Sequence, residues 1–241
     1  MIVADVDNTI CDSCQKMSPV MAAEINRLLH KGHTFAFLSG TNKDYLLKMV
    51  SAQLEEKHYL LALTGTQCLE VKRGKYLELY KYSLSPREKE EMINALQKLT
   101  EKHQIQSLTT REDQIQDRES QITLSAIGRH APQELKEQFD PDGSKRQRWV
   151  DDLYTLLSPR DYEITIAGTT SIDITRKGID KGWAIQQFAR QRQVPLQMIL
   201  FLGDKTKPGG NDYPATRIVD FVTVENPKDT LEKLKMLFPR T

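Results

Sequence analysis

Three short apolar runs within the first 65 residues, each stopping at small or polar positions, constrain this chain more than any other feature. The first leads into Asp5-Val6-Asp7, the second, at 33–38, into Ser39-Gly40, and the third, at 59–63, into Thr64-Gly65. Such runs read as buried strands of a parallel sheet, apolar on both faces and ending where the chain leaves the sheet. Helical spacing fills the gaps between them. Ser18-Pro19 offers an N-cap and a first-turn proline ahead of Met21, Ile25, Leu28 and Leu29. Asn42 or Asp44 can cap a second helix carrying Tyr45, Leu46, Met49, Val50 and Leu54. Strand and helix alternating this closely predict βαβ units, with ligands at the carboxyl ends of the strands.

The rhythm breaks after Tyr82. Ser85-Pro86-Arg87-Glu88 is a capping box that opens a charged amphipathic helix reaching about residue 102. Strand-like segments at 121–127 and 162–166, with helical stretches at 132–139 and 145–157, predict a separate α+β module. Alternation then returns with a helix at 181–192, strands at 198–202 and 221–224, and a closing helix at 229–238. The expected fold is α/β: a doubly wound, mainly parallel core from residues 1–83 and 175–241, with an inserted α+β cap at 84–174.

Lys and Arg number 34 against 33 Asp and Glu, a net charge of +1, so no global field draws the chain to nucleic acid or an anionic membrane. The basic stretch Lys145-Arg146-Gln147-Arg148 alternates with Trp149, Val150 and Leu153 and reads as the solvated face of a helix. No apolar run is long enough to span a bilayer, and the start lacks a signal-peptide pattern, so a cytoplasmic location is expected. Three cysteines, with Cys11 and Cys14 as a C-x-x-C pair, suit reduced thiols better than a disulfide framework. His30, His33 and His58 sit at element ends, where surface or capping roles are expected. Oligomeric state is left open, with a homodimer among the options.

Asp5 and Asp7, two apart at a strand end, send both carboxylates toward one mouth of the sheet. One can attack phosphorus while the other trades a proton with the leaving and accepting oxygens. A lone D-x-D is as readily two solvated loop residues. Matching parts follow later strands: the Ser39 hydroxyl, the Lys181 ammonium at a helix start, and Asp204 and Asp212 after the strand at 198–202. Each alone reads as a turn residue, a surface cation or a cap, whereas together and in this order they describe a phosphoryl-transfer cleft. Hard carboxylate oxygens at strand ends suit Mg2+.

This order resembles the haloacid dehalogenase superfamily, whose four motifs are matched by Asp5-Val6-Asp7-Asn8-Thr9, Ser39-Gly40, Lys181, and Gly203-Asp204 with Asn211-Asp212. The inserted module resembles the cap of the subgroup acting largely on sugar phosphates. More closely, residues 203–212, Ser171-Ile172-Asp173, Gly178-Ile179-Asp180-Lys181 and Ala126-Ile127-Gly128-Arg129 resemble the eukaryotic phosphomannomutase family. The resemblance implies a nucleophilic Asp5, an acid/base Asp7, and catalytic support from Ser39 and Lys181. It implies Mg2+ held by Asp5, Asp204 and the Asp7 carbonyl, with Asp212 as a further or nearby ligand. Arg118 and Arg129 match cap arginines that grip the distal phosphate of the sugar, and Ser171 and Asp173 match further substrate contacts. Gly40, Lys136 and Asn211 complete the implied substrate set.

Two positions depart from that pattern. Cys14 stands where the mutases carry an arginine after the first motif, and Lys136 stands for a third cap arginine. Lysine keeps the charge without the bidentate fork, and cysteine keeps neither. A mutase must hold an intermediate while it turns around, so these losses tilt the expectation narrowly toward a sugar-phosphate phosphatase over a mannose-phosphate isomerase. A non-catalytic sugar-phosphate sensor is a third, weaker expectation.

Overall fold

The computed structural model describes residues 1–13 and 15–239. Cys14, and with it the Cys11/Cys14 pair and the position matched to the first missing arginine, lies outside them. In chain order the structure opens with β1 (Ile2–Asp5), α1 (Pro19–His30), β2 (Phe35–Leu38), α2 (Lys43–Met49), β3 (His58–Ala62), β4 (Gln67–Lys72) and β5 (Lys75–Lys81). There follow α3 (Pro86–Lys102), α4 (Arg111–Gln114), β6 (Ile115–Asp117), β7 (Gln121–Ser125), α5 (Gln133–Phe139), α6 (Ser144–Leu153), β8 (Tyr162–Ala167) and β9 (Ser171–Arg176). The chain closes with α7 (Lys181–Arg192), β10 (Leu200–Gly203), α8 (Tyr213–Thr216), β11 (Asp220–Thr223) and α9 (Pro227–Leu237). It divides into two compact units, Met1–Tyr82 with Ile179–Thr241, and Ser83–Gly178.

The first unit is built on a sheet ordered β11-β10-β1-β2-β3-β4-β5 among the described residues. The five strands from β11 to β3 are parallel, and β4 and β5 add an antiparallel hairpin. Side chains alternate across the strands, and both faces are buried. Ile2, Ala4, Phe35, Phe37 and Leu60 pack with α1 residues on one side, while Val3, Ala36, Leu38, Tyr59 and Leu61 pack with Ala184, Ile185 and Phe188 of α7 on the other. Two-sided burial is what makes these strands near-continuous apolar runs. The helix starts follow the caps read from sequence: Ser18 accepts from the Met21 N–H and Asn42 from the Tyr45 N–H.

The second unit has a four-stranded antiparallel sheet ordered β6-β7-β9-β8. Ile122, Leu124, Ile172 and Ile174 face a core completed by Met92, Leu96 and Leu99 of α3 and Trp149, Val150 and Leu153 of α6. The Ser85 capping box forms in full. The opposite sheet face is polar and carries Gln116, Thr123, Asp173, Ser125 and Ser171, set by the pairs Gln116↔Thr123, Thr123↔Asp173 and Ser125↔Ser171.

Several sequence expectations are corrected here. Arg146 does not lie on a solvated face: it shares the i, i+3, i+4, i+7 stripe of Trp149, Val150 and Leu153 and is buried against Asp140, Nε to Oδ2 2.8 Å. Its Nη1 also donates to the carbonyls of Ala167 and Gly168. His58 is fully buried rather than superficial, with Nε2 2.7 Å from the Ser51 hydroxyl and Nδ1 2.8 Å from the Glu56 carbonyl. The strand expected from residue 198 begins at Leu200, because Leu196–Met198 forms a 3-10 turn. The β4–β5 hairpin and β9 were not anticipated. Among the described residues no helix is long and apolar enough to cross a membrane.

The Asp140 and Arg146 side chains are 1% and 4% exposed, so removing either leaves the other charge buried and unmatched. Asp140→Ala is expected to lower stability by about 3–5 kcal/mol, read as a shift in the urea unfolding midpoint. A shift below a tenth of that size would show the pair to be dispensable.

Candidate active site

At the carboxyl end of β1 the chain turns sharply, and the Val6 carbonyl accepts from the N–H groups of Ile10 and Cys11 at 2.8 and 3.1 Å. Asn8 takes a positive φ of 60°, a conformation asparagine tolerates better than most residues. Asp5 is thereby left buried at the strand end, while Asp7, half-buried, receives the Tyr45 hydroxyl at 3.5 Å. The Thr9 hydroxyl donates to Asp5 Oδ2 at 3.4 Å.

Lys181 is the first residue of α7, whose N-cap Asp180 accepts from the Trp183 N–H. Its ammonium is buried between two carboxylates, with Nζ 2.5 Å from Asp5 Oδ1 and 2.5 Å from Asp212 Oδ1. Asp212 is in turn fixed by the Lys205 N–H, 2.9 Å from Oδ2. Glycine makes this approach feasible. A Cβ on Gly203 would lie 2.5 Å from Asp212 Oδ2, and one on Gly210 would lie 2.0 Å from the Lys205 carbonyl oxygen. Both positions therefore hold the loop after β10 folded onto itself.

Asp5, Asp204 and Asp212 each offer a carboxylate oxygen, all within 4.8 Å of one another. Crowding like charges out of water disfavours their ionised forms. Burial, with the Asp212 charge added to it, pushes Asp5 up to about 6, although the Lys181 ammonium pulls the other way. Asp204 is raised as well, first by burial and then by Asp212. Burial alone would discharge Lys181, but Asp5 and Asp212 together hold its affinity for the proton above the ordinary value. One lysine cannot balance three carboxylates, and three hard oxygen donors this close fit a divalent cation such as Mg2+.

Ser39 follows β2 directly. Because Asp5 is in register with Leu38 on the neighbouring strand, Ser39 stands beside the turn that follows Asp5. Its buried hydroxyl is 3.0 Å from that of Thr41. Gly40 and Asn211 are exposed. The structure thus brings Asp5, Lys181, Asp204 and Asp212 into one cluster, with Ser39 and Asp7 on the adjoining strand ends. Thr9 and Tyr45 were missed by sequence reasoning. Thr9 had a signal in its place within the Asp5-to-Thr9 motif, but nothing in the sequence ties Tyr45 to Asp7.

In the second unit, Asp173 accepts from the Thr123 hydroxyl at 2.7 Å and is pushed upward by burial. Ser171 lies across from Ser125, hydroxyl to hydroxyl 3.3 Å. Burial depresses Arg118, the Asp173 charge opposes this, and nearby Arg129 adds to it. Arg129 is exposed after β7, where the left-handed turn at Gly128 ends the strand. Lys136 turns its ammonium onto the Arg129 carbonyl at 2.9 Å.

A haloacid dehalogenase-like hydrolase from Bacteroides thetaiotaomicron superposes with a TM-score of 0.67 at 13% identity, covering 98% of each chain. An IMP-nucleotidase from Plasmodium falciparum gives 0.65 at 16%, covering 99% of this chain and 70% of that one. These likenesses show that the chain shares the haloacid dehalogenase-like fold. The model of the eukaryotic phosphomannomutase family matches residues 27–240, and the chain belongs to that family. A probable phosphomannomutase of Caenorhabditis elegans is 28% identical over 95% of this chain and 92% of its own length.

Gly203→Ala is expected to displace Asp212 and to weaken Mg2+ binding at least about tenfold, the order of a disturbed ligand support. Calorimetric titration with Mg2+ checks this, and wild-type affinity would refute the packing role of Gly203.

Proposed function

We propose that the protein is a phosphomannomutase-like isomerase that interconverts mannose 1-phosphate and mannose 6-phosphate through an aspartyl-phosphate on Asp5. The family match across most of the chain carries this reading. It favours the isomerase over the phosphatase that the two lost arginines had suggested.

In this proposal residues 1–83 and 175–241 are the catalytic core, and 84–174 are the substrate-selecting cap. An Asp5 oxygen attacks one phosphorus of a mannose bisphosphate and the bond to that sugar oxygen breaks, leaving a mannose monophosphate and the aspartyl-phosphate. Asp7 gives its proton to the departing sugar oxygen, and in the return step it takes one from the free hydroxyl of a monophosphate bound the other way round, as that hydroxyl attacks the aspartyl-phosphate and re-forms the bisphosphate. Lys181 keeps the nucleophile ionised against its burial and holds it in one orientation, supported by the bonds to Asp5 and Asp212. Ser39 donates to a phosphoryl oxygen. Asp5, Asp204 and the Asp7 carbonyl, with Asp212 beside them, would hold Mg2+, which offsets the charge of the transferring phosphoryl group. Arg118 and Arg129 grip the phosphate at the far end of the sugar, with Ser171, Asp173, Lys136, Gly40 and Asn211 as further substrate contacts. A cytoplasmic enzyme on a small phosphorylated sugar, with no nucleic-acid or membrane partner, fits the balanced charge.

One observation favours the phosphatase as a second reading: Lys136, at the place of a third cap arginine, spends its ammonium on the Arg129 carbonyl. Mannose 1-phosphate supplied with Mg2+ and a catalytic bisphosphate separates the two. Mannose 6-phosphate is the expected product, and free phosphate without it would overturn the isomerase. Asp5→Asn is expected to abolish turnover with the fold retained by circular dichroism. Asp7→Asn is expected to slow turnover by about 10² to 10⁴, the usual worth of a placed proton-transfer group. Wild-type rates in either variant would reassign the roles.

A further inference from the structure

The polar face of the second unit's sheet contains a residue that no substrate role accounts for. Gln116 stands on β6, opposite Thr123. Its amide nitrogen donates to the Asp113 carbonyl at 2.9 Å and to the Ser125 hydroxyl at 3.3 Å. These two donations settle which way the amide faces, because a carbonyl can only accept. The amide oxygen is therefore turned to Arg118 and accepts from both Nε at 3.2 Å and Nη2 at 2.9 Å.

This pairing is unusual in its charge. An arginine held by a side chain usually meets a carboxylate, which orients the guanidinium and cancels its charge together. Gln116 fixes the same edge with a neutral acceptor, so the cation stays uncompensated by its nearest partner. The neighbouring Asp173 offsets part of that charge from a distance, but it does not orient the guanidinium: its oxygen Oδ1 is engaged by Thr123, and the hydrogen bonds that hold Nε and Nη2 come from Gln116. A half-buried guanidinium held in one orientation and left charged is prepared for an anion.

We propose that Gln116 is the positioning residue for Arg118: its amide oxygen sets the guanidinium for a phosphate of the substrate while leaving the charge intact. The inference rests on the proposed role of Arg118. Gln116 acts only through Arg118, and Ser125 and the Asp113 carbonyl hold Gln116 in turn.

The test compares kcat/KM for mannose 1-phosphate isomerisation with that for hydrolysis of phenyl phosphate, which has no distal anion for Arg118 to grip. Gln116→Leu removes the acceptor, and the ratio of the two values is expected to fall about tenfold through KM, the scale of one hydrogen bond that aligns a charged group. Gln116→Glu keeps an acceptor but neutralises the guanidinium, and the ratio is expected to fall with it. A wild-type ratio in Gln116→Glu would overturn the importance of the neutral partner. Adding Gln116→Leu to Arg118→Ala is expected to produce no further fall, since the first residue works through the second. Additive losses would overturn the positioning role. An unchanged ratio in Gln116→Leu beside a lowered ratio in Arg118→Ala would overturn it too, while leaving the role of Arg118 standing. No effect of Arg118→Ala would instead reject the reading of Arg118 itself.

Discussion

The site depends on a buried ammonium shared by two carboxylates. Lys181 binds Asp5 and Asp212 at once, and these three groups come from the end of β1, the start of α7 and the loop after β10. Separating any of them would leave a buried charge without its counterion, which costs far more than a surface pair. The bridge therefore fixes the spacing of segments 176 and 31 positions apart in sequence. It also leaves an excess of negative charge at the strand ends, because Asp204 adds a third carboxylate. Structural cohesion and a charge that suits a divalent cation arise from the same arrangement.

Much of this was legible in the sequence, for reasons that differ by element. The parallel strands could be read because burial on both faces turns each into an apolar run, and because each run stops at small or polar residues where the chain leaves the sheet. Ser18 and Ser85 marked helix starts because a hydroxyl followed by proline leaves the first turn few alternatives. Asp5, Lys181, Asp204 and Asp212 could be grouped since parallel topology gathers all strand ends on one side. The expectation of hydrolysis over isomerisation finds less support in the family match than its alternative does, because the likeness runs through most of the chain while the two lost arginines are single positions.

What escaped the sequence is where local pattern and tertiary setting disagree. Arg146 lies in a basic stretch, yet its stripe faces the core and Asp140 makes its burial tolerable. His58 opens a strand, but Ser51 and the Glu56 carbonyl satisfy both ring nitrogens, so it can be interior. The β4–β5 hairpin turns at Arg73-Gly74, both at positive φ, a signal that the charged flanks of the hairpin obscured. Gln116 has no sequence signature at all, because its meaning comes from cross-strand neighbours.

That hairpin has a further consequence. It leaves β5 as the outer strand of the sheet, with Tyr76 and Leu77 largely exposed. Outer strands invite other chains to extend the sheet, and this one reads Lys-Tyr-Leu-Glu-Leu-Tyr-Lys, the same in both directions about Glu78. A second copy laid antiparallel in that symmetric register would set Glu78 against Glu78 and each lysine against a lysine. The mirror-image spelling thus turns the most natural mode of self-association into charge repulsion, and helps keep a sticky margin from seeding aggregates.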